Sequence, residues 1–110
     1  MIGSDTIRGY NDTFILSVLA EGDSYGYAIS KRITEISANK YSIKETTLYS
    51  AFNRLEKNKC IQSFPGQVTH GKKRTYYTIT PIGQAYLAEK IGEWQLTKEV
   101  VERFIKEEKK

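Results

Sequence analysis

A chain of 110 residues with 39% apolar content and a net charge of +4 is long enough for one domain. It can bury only about two thirds of its unfolded surface, so a partner chain would add core. One Cys and one His exclude an intrachain disulfide and a Cys/His metal cluster, and no glycine-rich phosphate loop, nucleophile elbow or paired-carboxylate spacing supports an enzyme.

The longest apolar stretch, Phe14 to Ala20, is too short to span a bilayer and lacks a signal-peptide pattern, so a cytoplasmic location without membrane contact is expected. Asn11 or Asp12 is expected to cap the helix that carries Phe14, Ile15, Val18 and Leu19 and ends near Glu21-Gly22. Ser24 is expected to cap a second helix running to about Ser37, with Tyr25, Ile29, Ile33 and Ile36 on one side. Lys31, Arg32 and Lys40 can reach phosphates but read as solvated surface cations. After a connector, Ser37 to Tyr41, the run Ser42-Ile43-Lys44-Glu45 has the form of a capping box, which predicts a third helix just after Ser42. At about 100° per residue, Leu48, Ala51, Phe52 and Leu55 fall on one side of it and Thr46, Ser50, Asn53, Arg54 and Lys57 on the other. The second side is short, polar and cationic, which suits the edges of bases and the phosphates around them.

Ile61 to Phe64 reads as a short strand, and Lys72 to Thr80 alternates as a half-buried one. Pro65, Gly66 and Gly71 lie between them as turn formers, so the two strands should pair as a hairpin whose tip carries His70, Lys72, Lys73 and Arg74. Adjacent cations repel one another unless they are solvated or face an anion such as a phosphate backbone. From Lys40 to Thr80 eight cations stand against two acids, which leaves the rest of the chain slightly acidic. Helix, basic hairpin and a following helix together outline a winged helix on nucleic acid; the same charge would also suit an acidic protein surface. His70 has no neighbouring carboxylate in sequence and reads as a solvent-exposed loop residue.

Thr80-Pro81 is a strong helix start, and no breaker follows, so a helix to about Glu108, roughly 40 Å long, is expected, with Gly83 and Gly92 as tolerated costs. Leu87, Ile91, Trp94, Val101 and Ile105 line one side, interrupted by Lys98, while Ile82, Tyr86, Leu96, Val100 and Phe104 lie around the other. One small domain cannot cover both faces, which predicts a homodimer built on this helix.

Several linked runs carry a resemblance: Thr47-Leu48-Tyr49 with Arg54-Leu55-Glu56, then Gly71-Lys72-Lys73-Arg74-Thr75-Tyr76-Tyr77, then Ile79-Thr80-Pro81-Ile82-Gly83. Their spacing resembles the PadR family of bacterial transcriptional regulators, and Gly22-Asp23-Ser24-Tyr25-Gly26-Tyr27 is similar to that family's first interhelical connection. A departure occurs where the family usually has Gly and this chain has Asn58-Lys59-Cys60; Asn58 is expected to take the left-handed cap. The resemblance implies a mainly α protein with a small β-hairpin, a winged helix-turn-helix over residues 1–80 and a long dimerisation helix over 81–110. It implies a cofactor-free homodimer on a pseudo-palindromic operator. The expected DNA-binding residues are Lys44, Thr46, Thr47, Tyr49, Ser50, Asn53, Arg54, Lys57, Lys72, Lys73 and Arg74. It also matches a short-tailed, multidrug-responsive subgroup, in which an aromatic residue at the place of Trp94 faces a flat pore between the chains. Phe14, Ala88, Ile91 and Trp94 would then hold a planar aromatic effector that releases a repressor from DNA; the alternative is that Trp94 is plain packing.

Overall fold

Apolar positions from three short helices converge on one core, in which Ile15, Leu16, Leu19, Ile29, Leu48, Phe52 and Leu55 lose essentially all contact with solvent. The computed structural model describes residues 1–69 and 71–105; His70 and residues 106–110, expected as hairpin tip and charged tail, lie outside the described residues. In chain order these form α1 (Ser4–Ile7), a 3-10 turn (Arg8–Tyr10), α2 (Asn11–Glu21), β1 (Ser24–Tyr25), α3 (Gly26–Ile36), α4 (Glu45–Lys57), β2 (Ile61–Thr69), β3 (Lys72–Ile79) and α5 (Pro81–Phe104).

Three expected caps are absent, each because tertiary contacts claim the side chain or hold its segment. Asn11 and Asp12 lie inside α2, which starts without a side-chain cap; Asn11 is buried and its Oδ1 accepts from the Tyr41 hydroxyl at 2.7 Å, while Asp12 is taken by Arg54. Ser24 and Tyr25 form β1 instead of opening a helix, pairing antiparallel with Tyr77 and Tyr76 in a three-stranded sheet of order β1-β3-β2. The capping box does not form either: α4 starts at Glu45 behind an extended Lys44 with no side-chain cap. Tyr41 and Ile43 are both buried around an exposed Ser42, so core burial holds this segment extended where a helical start would turn one of the two outward.

The hairpin is longer than its sequence pattern suggested. β2 runs through Pro65 and Gly66 to Thr69, with a register shift between Pro65 and Val68. A bulge on an edge strand tolerates proline's missing N–H, so the two residues bend the wing without ending it. A Cβ at Gly66 would lie 1.8 Å from the Tyr76 ring, so any side chain there would displace that ring.

At the end of α4 the left-handed residue is Lys59, φ 63°, while Asn58 stays at φ −85°. The Cys60 N–H reaches back to the Leu55 carbonyl at 2.9 Å, which requires the turn one residue later than expected. That turn is stitched to α5. The Thr80 N–H donates to the Cys60 carbonyl at 3.0 Å, and the Thr80 hydroxyl caps α5 by accepting from the Gly83 N–H at 3.0 Å. Gly83 is therefore no mere cost: a Cβ on it would stand 2.1 Å from the Cys60 carbonyl oxygen. Gly83 and Leu87 are buried in the shared core, so the first turns of α5 pack as part of the winged-helix unit.

Two substitutions on either side of this stitch should move stability in opposite directions in urea titrations. Gly83→Ala must push backbone against backbone and should cost about 1–3 kcal/mol. Lys59→Gly relieves a left-handed backbone with a side chain and should add about 1 kcal/mol. A neutral Gly83→Ala would mean that the two segments separate easily.

Candidate nucleic-acid interface

The inward face of α4, Leu48, Ala51, Phe52 and Leu55, is buried completely, and Phe52 stacks on Tyr77 of β3 with ring centroids 4.2 Å apart. Burial of this face leaves only the other side of α4 outward. Lys44, Thr46, Tyr49, Ser50, Asn53 and Lys57 are exposed there, and Thr47 is half-buried. Tyr49 lies edge-on to Phe52 and over Gly26, where a Cβ would meet its hydroxyl at 2.4 Å, which keeps the ring close against the start of α3.

The wing brings its cations beside that face. Lys72 and Lys73 are exposed on β3. Arg74 is not: it is half-buried, with its guanidinium carbon 5.0 Å from the centroid of the Tyr25 ring and a buried Nε that has no hydrogen-bond partner among the described residues. Tyr25 in turn packs on Tyr76, and Tyr76 on Phe64, so one face of the wing is an aromatic ladder with Arg74 on it. Between the wing base and the first turn of α4 lies a groove of about 540 Å³, bordered by Tyr25, Tyr27, Glu45, Tyr49, Lys73 and Arg74.

One expected DNA-binding cation, Arg54, and one cation read as solvated, Arg32, are both held by carboxylates. Arg54 Nε donates to Asp12 Oδ2 at 3.2 Å and its NH2 to Oδ1, a two-point fork from α4 to α2; this hydrogen bond raises the Arg54 pKa above its ordinary value. Arg32 makes a similar fork to Glu21 at 3.0 and 3.1 Å, which lowers the Glu21 carboxyl pKa. Cys60 sits in the core, and burial, with the Asp12 charge second, raises its thiol pKa, so it is an inert packing group.

The residues expected around Trp94 are only partly brought together. Trp94 is 46% exposed and lies perpendicular to Tyr10 with ring centroids 5.6 Å apart; Tyr10 in turn stacks on Phe14 at 6.5 Å, so Phe14 is reached through a residue that sequence reasoning missed. Ala88 and Ile91 are exposed on α5, as are Val101 and Ile105, whereas Leu87, expected in the dimer stripe, is 9% exposed and belongs to the chain's own core. Beyond Trp94, α5 runs outward with Leu96, Val100 and Phe104 also exposed, and Phe104 reaches 82% exposure. Tyr10 carried no signal of its own, since an aromatic just before a helix is ordinary packing until its neighbour is known.

An outward polar helix beside a basic wing, on a helical scaffold with a three-stranded sheet, defines a winged helix-turn-helix DNA-binding protein. The PadR-like transcriptional regulator family model matches residues 15–89, and the chain belongs to that family. A transcriptional regulator from Clostridium thermocellum is 58% identical, with a TM-score of 0.88 over 96% of this chain and all of its own. A PadR family transcription regulator from Clostridium difficile is 35% identical, with a TM-score of 0.76 over 86% of this chain and 97% of its own. An uncharacterized protein from Lysinibacillus sphaericus is 47% identical over 105 residues, 96% of each chain. The family consists of transcription regulators that bind DNA and usually dimerise, not of enzymes. No helix among the described residues is long and apolar enough to cross a membrane.

Base reading and backbone contact should separate experimentally. Asn53→Ala should leave the fold intact and weaken operator binding by about 1–3 kcal/mol while random DNA is bound as before. Neutralising Lys72 and Lys73 should weaken every sequence alike and flatten the salt dependence of log affinity by about 0.9 for each phosphate left without its lysine. Equal losses on both DNAs for Asn53→Ala would make it a phosphate contact.

Proposed function

We propose that the chain is a homodimeric repressor that binds a pseudo-palindromic operator and is released by a planar aromatic compound lodged beside Trp94. The observation that carries the dimer is the outer half of α5, a helix about 36 Å long whose far end leaves Leu96, Val100, Val101 and Phe104 uncovered, with Ile105 exposed just past it. A second copy of that helix is the simplest cover for a surface of this size. In this reading Thr46, Ser50 and Asn53 meet base edges, and Lys44, Thr47, Tyr49, Lys57, Lys72 and Lys73 meet the backbone. Arg74 holds the wing upright through Tyr25.

Release is supported by the surroundings of Trp94. A notch of about 160 Å³ lies between the 3-10 turn, the start of α2 and α5, bordered by Tyr10, Thr13, Lys90, Glu93, Trp94 and Thr97. It is too small for a fused-ring ligand in one chain and becomes a slot only if a partner's Ala88, Ile91 and Trp94 close it. The acid at its rim, Glu93, is bridged to Lys90 at 3.4 Å and favours a cation that displaces the lysine. The ligand must favour the dimer geometry with misplaced recognition helices, since equal affinity for both geometries shifts nothing.

Gel retardation with the DNA upstream of the protein's own gene, at low and physiological salt, tests the regulator reading, and binding that vanishes at physiological salt without sequence preference would count against an operator. Ile91→Glu should shift the protein toward monomers in light scattering and lower operator affinity with it, because half-sites about 34 Å apart require linked recognition helices. A full dimer for this variant would place the interface elsewhere. Calorimetry with a hydroxycinnamate and a planar cationic dye, on wild type and Trp94→Ala, tests the slot. Binding that survives unchanged in Trp94→Ala returns that residue to plain packing.

A further inference from the structure

The start of α2, with the residue before it, is bonded or packed to several distant parts of the chain. Within five residues it meets three other parts of the chain: Tyr10 packs perpendicular to Trp94 on α5, Asn11 is bonded to Tyr41 before α4, Asp12 holds Arg54 on α4, and Phe14 tilts against Tyr41 at 5.8 Å. The acid of the pair is the shielded partner, with an Asp12 side chain 19% exposed against 53% for Arg54, and the pair joins two helices 42 positions apart in sequence. Asp12 also lies at the N-terminal end of α2, where its charge is favoured by the helix dipole. Its partner, by contrast, stands on the side of α4 that looks outward, where a guanidinium not otherwise held would be expected on phosphate.

We infer that Asp12 is a positioning residue for DNA recognition: through Arg54 it locks the recognition helix to the turn whose Tyr10 seats Trp94, so that recognition helix and dimer helix move as one body. Arg54 then contributes to operator binding by geometry and not by touching DNA. The fork matters because two parallel hydrogen bonds fix both the distance and the rotation of α4 about its own axis, and rotation decides which side chains meet the bases. The inference rests on the DNA-binding reading and needs no effector. Coupling between the two helices is reciprocal: anything that binds DNA through α4 must be felt at Trp94, and anything lodged at Trp94 must be felt at α4.

The test compares Asp12→Asn, Arg54→Gln, Arg54→Lys and the Asp12→Asn/Arg54→Gln pair for affinity to the retarded upstream fragment and to a scrambled duplex across a salt series, with thermal unfolding of each variant. Either single change should weaken the operator complex about five- to tenfold, the double change should be no worse than a single one, and scrambled DNA should be bound with an unchanged salt slope. Arg54→Lys should fail like Arg54→Gln, since an ammonium keeps the charge but cannot span the carboxylate. The inference is overturned if Arg54→Gln flattens the salt slope by about 0.9 on every sequence while Arg54→Lys restores binding and Asp12→Asn tightens it, which would make Arg54 a phosphate contact restrained by Asp12. Trp94, the chain's one tryptophan, supplies an independent readout: its selectively excited emission should change when wild type binds the operator and should change less in Arg54→Lys. A silent wild-type signal overturns the link to the dimer helix, whether or not Asp12→Asn folds. Absence of any retarded fragment for wild type would fail the operator reading itself.

Discussion

The whole molecule is arranged around the burial of one face of α4. Leu48, Ala51, Phe52 and Leu55 each retain 2% or less of their surface, and Phe52 lies flat on Tyr77 of the wing. A helix so anchored cannot turn by a whole residue, which would expose a Phe or a Leu and bury an Asn or a Lys, and smaller rotations are left to the Asp12–Arg54 fork to limit. Because the same aromatic contact joins helix to sheet, the wing is held at a set angle to the recognition face. Reading face and basic hairpin thus follow from one packing solution.

The second constraint is the stitch between the end of α4 and the start of α5. Thr80 and Gly83 close on the Cys60 carbonyl at distances that leave no room for a side chain on Gly83. That contact sets the direction in which α5 leaves the core, and with it the direction in which the uncovered apolar half of the helix projects. Along the same helix, Trp94 comes back into contact with Tyr10, next to the turn that grips Arg54. Short-range packing therefore fixes, within one chain, the placement of α4 relative to α5.

The recognition helix, the wing and the long last helix were legible because each has a strong local pattern: one apolar stripe at helical period, one alternation at period two, and a Thr-Pro start without a later breaker. The structure keeps Thr80 as a cap with proline at the first helical position. The weaker local signals misled. Ser24 and Ser42 looked like caps, yet the first is in a strand and the second precedes an extended segment, because pairing with Tyr77 and burial of Tyr41 and Ile43 outweigh a cap worth about 1 kcal/mol. Pro65 and Gly66 looked like a turn, but an edge strand with a bulge accommodates both.

Periodicity along the chain determined which faces are apolar, and net charge by segment determined where positive charge is concentrated; both are sums over neighbours in sequence, so no partner is needed to read them. What the tertiary structure alone decided is which polar groups are already spent. Arg54 and Arg32 look identical to any other surface cation until Asp12 and Glu21 are seen to face them, and Leu87 looks like Ile91 until the core is seen to enclose it. Ion pairs and burial join residues far apart in sequence, such as Asp12 and Arg54, 42 positions apart, and no local pattern encodes a distance that only the fold creates.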